Sequence, residues 1–181
     1  MKFIIILLFS LLFPACNGTK TETNESKKET PKVEKTLKVA FGYKPRSFDP
    51  HRHTDSSTLA VTKQIYSNLF SLDENGDLVP ELVEKYETLP DNSIVLTLKK
   101  GVFFQDGSEM KAKDAAASLK RNLDIPISKV LVESIKDLEV LDDYRLKIIQ
   151  NNAPTILLHN FAHSSIAIVK EVPANEEGIN I

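Results

Sequence analysis

Residues 98–122, LKKGVFFQDGSEMKAKDAAASLKRN, constrain the fold more than any other part of the chain. They begin at the end of a β-branched and apolar run, residues 94–98, which predicts a strand that stops before Gly101. Asp106-Gly107 predicts a turn, because both residue types tolerate positive φ. A helix is expected next, because apolar residues recur at helical spacing along one face. These residues are Ala112, Ala115, Ala116, Leu119 and Leu123.

This stretch resembles a signature of the peptide/nickel class of bacterial extracellular solute-binding proteins, family 5. The matching residues are Leu98, Lys100, Gly101, Val102, Phe104, Asp106, Gly107, Ala112, Asp114, Ser118, Leu119 and Arg121. Two positions depart from it: Gln105 replaces a His, and Lys111 replaces the Thr that would cap the helix. A Lys side chain cannot accept a backbone N–H, so we expect a slightly frayed helix start, partly offset by Asp114.

The resemblance continues on both sides of the signature, over about residues 37–172. Residues 37–43, LKVAFGY, predict an opening strand with Leu37, Val39 and Phe41 on one face. Residues 47–51, SFDPH, resemble the SLDPH element of the family. N-cap candidates at 54–57 predict a helix whose apolar face includes Val61, Ile65 and Leu69.

The rest of the chain predicts alternating short elements. Asn75-Gly76 is a strong hairpin signal. Residues 123–128 stand where the family inserts a longer segment, and 130–135 are ambiguous. The other predicted elements are strands at 84–88, 93–98, 136–141, 144–150 and 166–170 and a helix from 154 to about 162. The resemblance implies an α+β (mixed α/β) fold, the N-terminal lobe of a periplasmic-binding-protein type II-like architecture, incomplete in this chain.

The N-terminal residues predict export and anchoring. Residues 3–13 are apolar apart from Ser10, but a bilayer span needs roughly 20 such residues, so they suit a secretory signal. Pro14-Ala15-Cys16 resembles a lipoprotein cleavage box, which implies that Cys16 is acylated. An ordinary signal peptide with a bystander cysteine is the alternative. We therefore assign 1–15 to the signal, 16–36 to a polar tether and 37–181 to a partial solute-binding lobe.

Composition excludes several functions. The net charge of −2 gives no argument for a nucleic-acid partner, and a single cysteine forbids an intrachain disulfide. No G-x-S-x-G, C-x-x-C or P-loop motif is present, so we expect neither an enzyme nor a cofactor.

The resemblance places ligand contacts just after the SFDPH element, at Thr54, Asp55 and Ser56. In peptide binders of this family, that segment pairs with the bound peptide as an extra strand. These residues could instead only cap the helix. Tyr43 is expected to line the cleft, or else to be a core residue at the end of a strand.

Histidines offer two weaker candidate metal sites. His51 and His53 lie near Asp49 and Asp55, and His159 and His163 have i, i+4 spacing. We favour surface or structural roles and expect no metal.

The function implied is that of a substrate-binding lipoprotein of an ABC importer, for oligopeptides or dipeptides, outside the cell membrane and reduced to its first lobe. Its partners would be a peptide or other small solute, the ABC permease subunits and, through Cys16, the lipid bilayer. Residues 37–181 alone are expected to bind peptide very weakly or not at all. The alternatives are a membrane-tethered module that binds no solute, and a receptor for nickel or another metal complex.

Overall fold

A computed structural model describes residues 36–45, 47–53, 55–150 and 154–171. The expected signal peptide, Cys16, nearly all of the tether and Thr54 lie outside the described residues. The fold is described within the compact unit Val39–Ile181. None of the helices described in these ranges is long and apolar enough to cross a membrane.

The unit combines two antiparallel sheets with short helices. A two-stranded sheet pairs β1 with β2, and a four-stranded sheet has the order β3-β4-β6-β5. The strands are β1 Phe70–Leu72, β2 Leu78–Pro80, β3 Val83–Thr88, β4 Ile94–Leu98, β5 Ile135–Asp142 and β6 Arg145–Gln150. The α-helices are α1 Ser56–Thr62, α2 Ala112–Asp124, α3 Pro126–Val132 and α4 Pro154–Asn160, and two 3₁₀-helices occupy Pro50–Arg52 and Ser164–Ile166.

One face of the larger sheet forms the core. In β4, Ile94, Leu96 and Leu98 are fully buried and alternate with less buried residues, as a strand with one covered face requires. Leu96 pairs with Leu146 of β6, which is also fully buried. Helix α2 packs against β5 and β6, and its Leu119 has no exposed surface. The sheet and α2 thus fix the position of the signature stretch.

Several predicted elements are present. The structure contains the hairpin at Asn75-Gly76, the β3–β4 and β5–β6 hairpins, helix α2 and a helix after Pro154. The predicted mixed α and β fold class is therefore confirmed.

The strand predicted at 37–43 is absent from the described part of the chain. Leu37 is 86% exposed and Tyr43 82% exposed, and no described strand lies beside them to complete a ladder. A strand requires a partner for its backbone groups, so an alternating pattern alone does not form one.

The helix after Asp55 is shorter than predicted. It ends at Thr62 and buries Thr58 and Thr62 rather than Val61 and Ile65. Leu69 belongs instead to the entry of β1, where its carbonyl accepts hydrogen bonds from Glu81 and Val83. Tertiary pairing here overrides the helical spacing.

Two further differences lie in the second half. Residues 126–132 form α3, which the sequence pattern missed although Pro126 at the first turn is a helix-start signal. The strand predicted at 166–170 is a 3₁₀ turn followed by residues outside any sheet. Their backbone bonds go to single side chains and loop carbonyls rather than to a neighbouring strand.

Candidate functional site

Helix α2 carries a polar edge beside its apolar stripe. Asp114, Ser118 and Arg121 are spaced i, i+4 and i+7, which places them on one side of the helix. Asp114 and Ser118 are buried, and the Arg121 side chain is 27% exposed. Each of the three side chains binds a segment that is distant in sequence. Helix α2 therefore anchors segments that belong to neither sheet.

Arg121 binds the SFDPH segment through two of its residues. Its two terminal nitrogens donate to the two carboxylate oxygens of Asp49 at 2.9 and 2.6 Å. One of them also donates to Nδ1 of His51 at 2.7 Å. The fork of a guanidinium matches a carboxylate in this bidentate way, so direction as well as distance is fixed.

His51 connects this pair to a third segment. Its Nε2 donates to the carbonyl oxygen of Ala167 at 2.8 Å. Because Nδ1 accepts from Arg121, the proton of the neutral ring lies on Nε2. We call Asp49, His51 and Arg121, with the Ala167 carbonyl, the SFDPH clamp.

The electrostatics of the clamp favour this protonation state. The pKa of His51 is lowered to about 4, mainly by burial and also by the neighbouring Arg121 charge, while the Ala167 bond and the Asp49 charge oppose the shift. Burial alone would raise the pKa of Asp49. The hydrogen bonds and charge of Arg121 outweigh that effect and lower it. The clamp therefore holds an ionised pair beside a neutral imidazole.

The other two polar residues of α2 hold the segment after Ser164–Ile166. The hydroxyl of Ser118 accepts from the backbone nitrogen of Val169 at 3.0 Å and lies 3.0 Å from the carbonyl of Val169. Asp114 accepts from the backbone nitrogens of Glu171 at 3.0 Å and Lys111 at 2.8 Å. The bond to Lys111 satisfies an amide at the start of α2, as the sequence analysis expected in part.

The segment from His53 to Ser56 continues directly from the clamp. His53 and Asp55 both have extended backbone angles. The side chain of Asp55 accepts from the Thr58 backbone at 3.0 Å and so caps α1, while Ser56 is exposed. The capping role proposed as an alternative is thus real for Asp55. A ligand role for Asp55 and Ser56 stays a prediction.

The structure does not place Tyr43 in the core. The side chain is 82% exposed, which excludes the alternative of a buried residue at a strand end. Its expected place in a cleft remains a prediction, because the described residues leave this side chain open.

Three of the four histidines in the two candidate metal sites have ring nitrogens bonded to other protein groups. Both ring nitrogens of His51 are hydrogen-bonded within the clamp. His159 contacts the Thr155 carbonyl through Nδ1, and Nδ1 of His163 accepts from the Ser165 backbone. The described ranges bring together no group of three His, Cys, Asp or Glu side chains suited to a metal ion.

A second polar cluster lies at the other end of α2 and was not foreseen. Lys111 donates to Glu109 at 2.7 Å and to the hydroxyl of Tyr144, whose ring its ammonium group also covers. Glu109 also accepts from Tyr144 at 2.9 Å and from the Gly101 backbone at 2.8 Å. These bonds attach the β5–β6 turn to the signature stretch.

The family model for the middle region of bacterial extracellular solute-binding proteins, family 5, matches residues 77–180, more than half of the chain. The chain belongs to this family, as the signature predicted. It is a family of solute-binding proteins rather than of enzymes.

A curated relative supports the assignment. The glutathione-binding protein GsiB of Salmonella choleraesuis is 30% identical over 151 residues, which cover 81% of this chain and 30% of that protein. The chain thus spans about a third of the length of the curated relatives it matches.

Solved structures show the same fold over a similar portion. AgaA from A. tumefaciens R10, in complex with agropinic acid, superposes with a TM-score of 0.65 and 26% identity over 70% of this chain and 26% of that one. The oligopeptide-binding protein AppA from Bacillus subtilis, in complex with a nonapeptide, gives 0.58 and 26% identity over 67% and 25%. The predicted architecture, a portion of a periplasmic binding protein, is confirmed.

Proposed function

We propose that this chain supplies one wall of the solute site of an ABC-importer binding protein, and that the solute is a peptide or a peptide-like molecule. Family membership supports the class of protein. Two of the three relatives named above bind glutathione and a nonapeptide, both of which carry amide groups in a row, and the third, AgaA, holds agropinic acid. The permease subunits of the importer would be the membrane partner.

The observation that carries the proposal is the extended backbone at His53 and Asp55, held by the SFDPH clamp at the surface. Extended chain is the conformation to which a peptide can add as a further strand. Main-chain hydrogen bonds then supply affinity without reading the side chains of the solute. Such a contact would be made at residues 53–56, including Thr54.

A single wall should bind weakly. A bound peptide would keep one side in water, and the contacts of an opposing surface would be missing, so little desolvation would strengthen its hydrogen bonds. We expect the chain to bind trialanine with a dissociation constant above about 1 mM, about −4 kcal/mol.

The test is a titration of the ¹⁵N-labelled chain carrying Cys16→Ser with trialanine, followed by amide chemical shifts. Shifts that grow without saturation and are centred on Asp55 and Ser56 support the proposal. Absence of shifts at these two amides would remove the ligand role of the segment. Micromolar affinity would contradict the one-wall interpretation.

We also propose that Cys16 carries the acyl chains that hold the protein to the outer side of the cell membrane. The apolar run before Cys16 and the family of exported binding proteins support this. Each buried methylene contributes about 0.8 kcal/mol of membrane affinity. The wild-type protein should enter the detergent phase in a phase-partition assay and show the added acyl mass. Cys16→Ser should stay in the aqueous phase, and a wild-type protein found there would disprove the anchor.

A further inference from the structure

We propose that Asp49, His51 and Arg121 are positioning residues for the solute site: they fix the backbone at His53 and Asp55 in the extended form that a peptide pairs with. This inference rests on the proposed function. It assigns a role in binding to side chains that do not themselves reach the solute-facing segment.

The first support is that the fully buried ring of His51 lies next to a segment whose described residues are half-buried or exposed. His51 is completely buried, whereas Arg52 is exposed and Ser56 lies on the surface. The chain therefore passes from a fixed point to solvent within five residues. Extended backbone such as that of His53 and Asp55 makes no hydrogen bonds within its own segment, so its conformation depends on the residues that hold it.

The second support is that both ends of the stretch are held. At the first end, the clamp joins the segment to α2 and to the Ala167 carbonyl. The carbonyl of His53 also accepts from the Ser165 hydroxyl at 3.0 Å. At the other end, Asp55 caps α1. His53 and Asp55 are thus each held, one next to the clamp and the other at the start of α1.

The third support is the type of side chain found at each position of the clamp. The bidentate Arg121–Asp49 pair fixes an orientation that a lysine could not reproduce with one ammonium group. The neutral His51 ring bridges Arg121 and Ala167 because it accepts at one nitrogen and donates at the other. A cluster needed only for stability could be apolar at equal volume, whereas these groups specify direction.

The test compares a clamp variant with a control on the same helix. Arg121→Lys keeps the charge and most of the stem but loses the fork. Lys111→Gln removes the ion pair with Glu109, about 15 Å away along the helix axis, and leaves the clamp intact. Both are measured in the chain carrying Cys16→Ser, by amide hydrogen exchange and by the trialanine titration.

The expected result is local. In Arg121→Lys, the amides of His51 and Thr58 exchange about tenfold faster, while Leu98 of β4 is unchanged. The trialanine shifts at Asp55 and Ser56 fall at least about threefold, since the dissociation constant rises when the binding-competent conformation is less populated. Lys111→Gln retains the wild-type exchange at His51 and the wild-type peptide shifts.

Two outcomes would overturn the inference. Exchange that rises equally at Leu98 would show that the clamp only adds global stability. Unchanged peptide shifts despite faster local exchange would show that the segment need not be held. If wild-type protein shows no peptide shift at all, the proposed function fails first, and the exchange data still report separately whether the clamp orders the chain at His51 and at the start of α1.

Discussion

Acid should destabilise this protein through His51 before most of its carboxylates take up protons. The ring is buried, and burial lowers its pKa to about 4, whereas the same side chain in the unfolded chain titrates near 6.5. The native state therefore binds this proton less readily than the unfolded state. The contribution of the neutral His51 ring to the free energy of unfolding is fully present above pH 6.5 and is lost as the pH falls from 6.5 towards 4. The shift corresponds to about 3 kcal/mol at the lower end of this window.

The groups that face the His51 ring make the loss of stability in acid structural as well as electrostatic. A protonated His51 could no longer accept from Arg121, and two positive charges would then lie 2.7 Å apart at their nearest nitrogens. Asp49 offsets part of this repulsion, since its charge raises the pKa of His51. Loss of the acceptor should therefore open the SFDPH clamp at low pH.

Urea denaturation from pH 7.5 to 4.5 measures the effect. The free energy of unfolding of the wild type should fall with a slope approaching about 1.4 kcal/mol per pH unit from this group alone. His51→Gln should be less stable at pH 7 but should show a shallower slope. Burial also lowers the pKa of His163, so His163→Gln is the control that removes the only other lowered histidine pKa resolved among the described residues. Equal slopes in wild type and His51→Gln would refute the argument.

Three substitutions test the framework around the site, each by urea denaturation at pH 7. Leu119→Ala should cost about 2–5 kcal/mol, because the side chain is fully buried in the core; a loss below about 1 kcal/mol would contradict that packing. Gly107→Ala should cost about 1–2 kcal/mol from backbone strain alone, since φ is +82° and a Cβ there would meet no atom within 4 Å; Gly107→Asn should cost less. Ser118→Ala should cost about 1–3 kcal/mol and speed amide exchange at Val169, whose N–H would lose its acceptor; unchanged exchange there would exclude the bond.

Local signals predicted the hairpins and α2 because the residues that define them are close in sequence. Asn75-Gly76 closes the β1–β2 hairpin, where Gly76 has φ +84° as such a turn requires. The alternation in residues 94–98 matches a strand with one buried face. Residues 37–43 show the same alternation but have no partner strand in the described chain, and a sequence pattern cannot report whether a partner is present.

The clamp was beyond sequence reasoning for a different reason. The pattern of α2 separates an apolar stripe from a polar back, and Arg121 belongs to that back. Its partners, Asp49 and His51, lie 72 and 70 residues earlier, so no local spacing connects them. The H-x-H pattern at His51 and His53 resembles a metal site, but the His51 ring is buried and both of its nitrogens are hydrogen-bonded to protein groups.

The polar edge of α2 explains how two segments can remain outside any sheet and still be buried. A backbone group removed from water must find a partner, and a sheet normally supplies it. Here Ser118 bonds to both backbone polar groups of Val169, and Asp114 accepts from Glu171. Arg121 holds the side chains of the SFDPH segment instead of its backbone. Because three side chains of one helix perform this task, the backbone at His53 and Asp55 can be extended although neither residue belongs to a described strand.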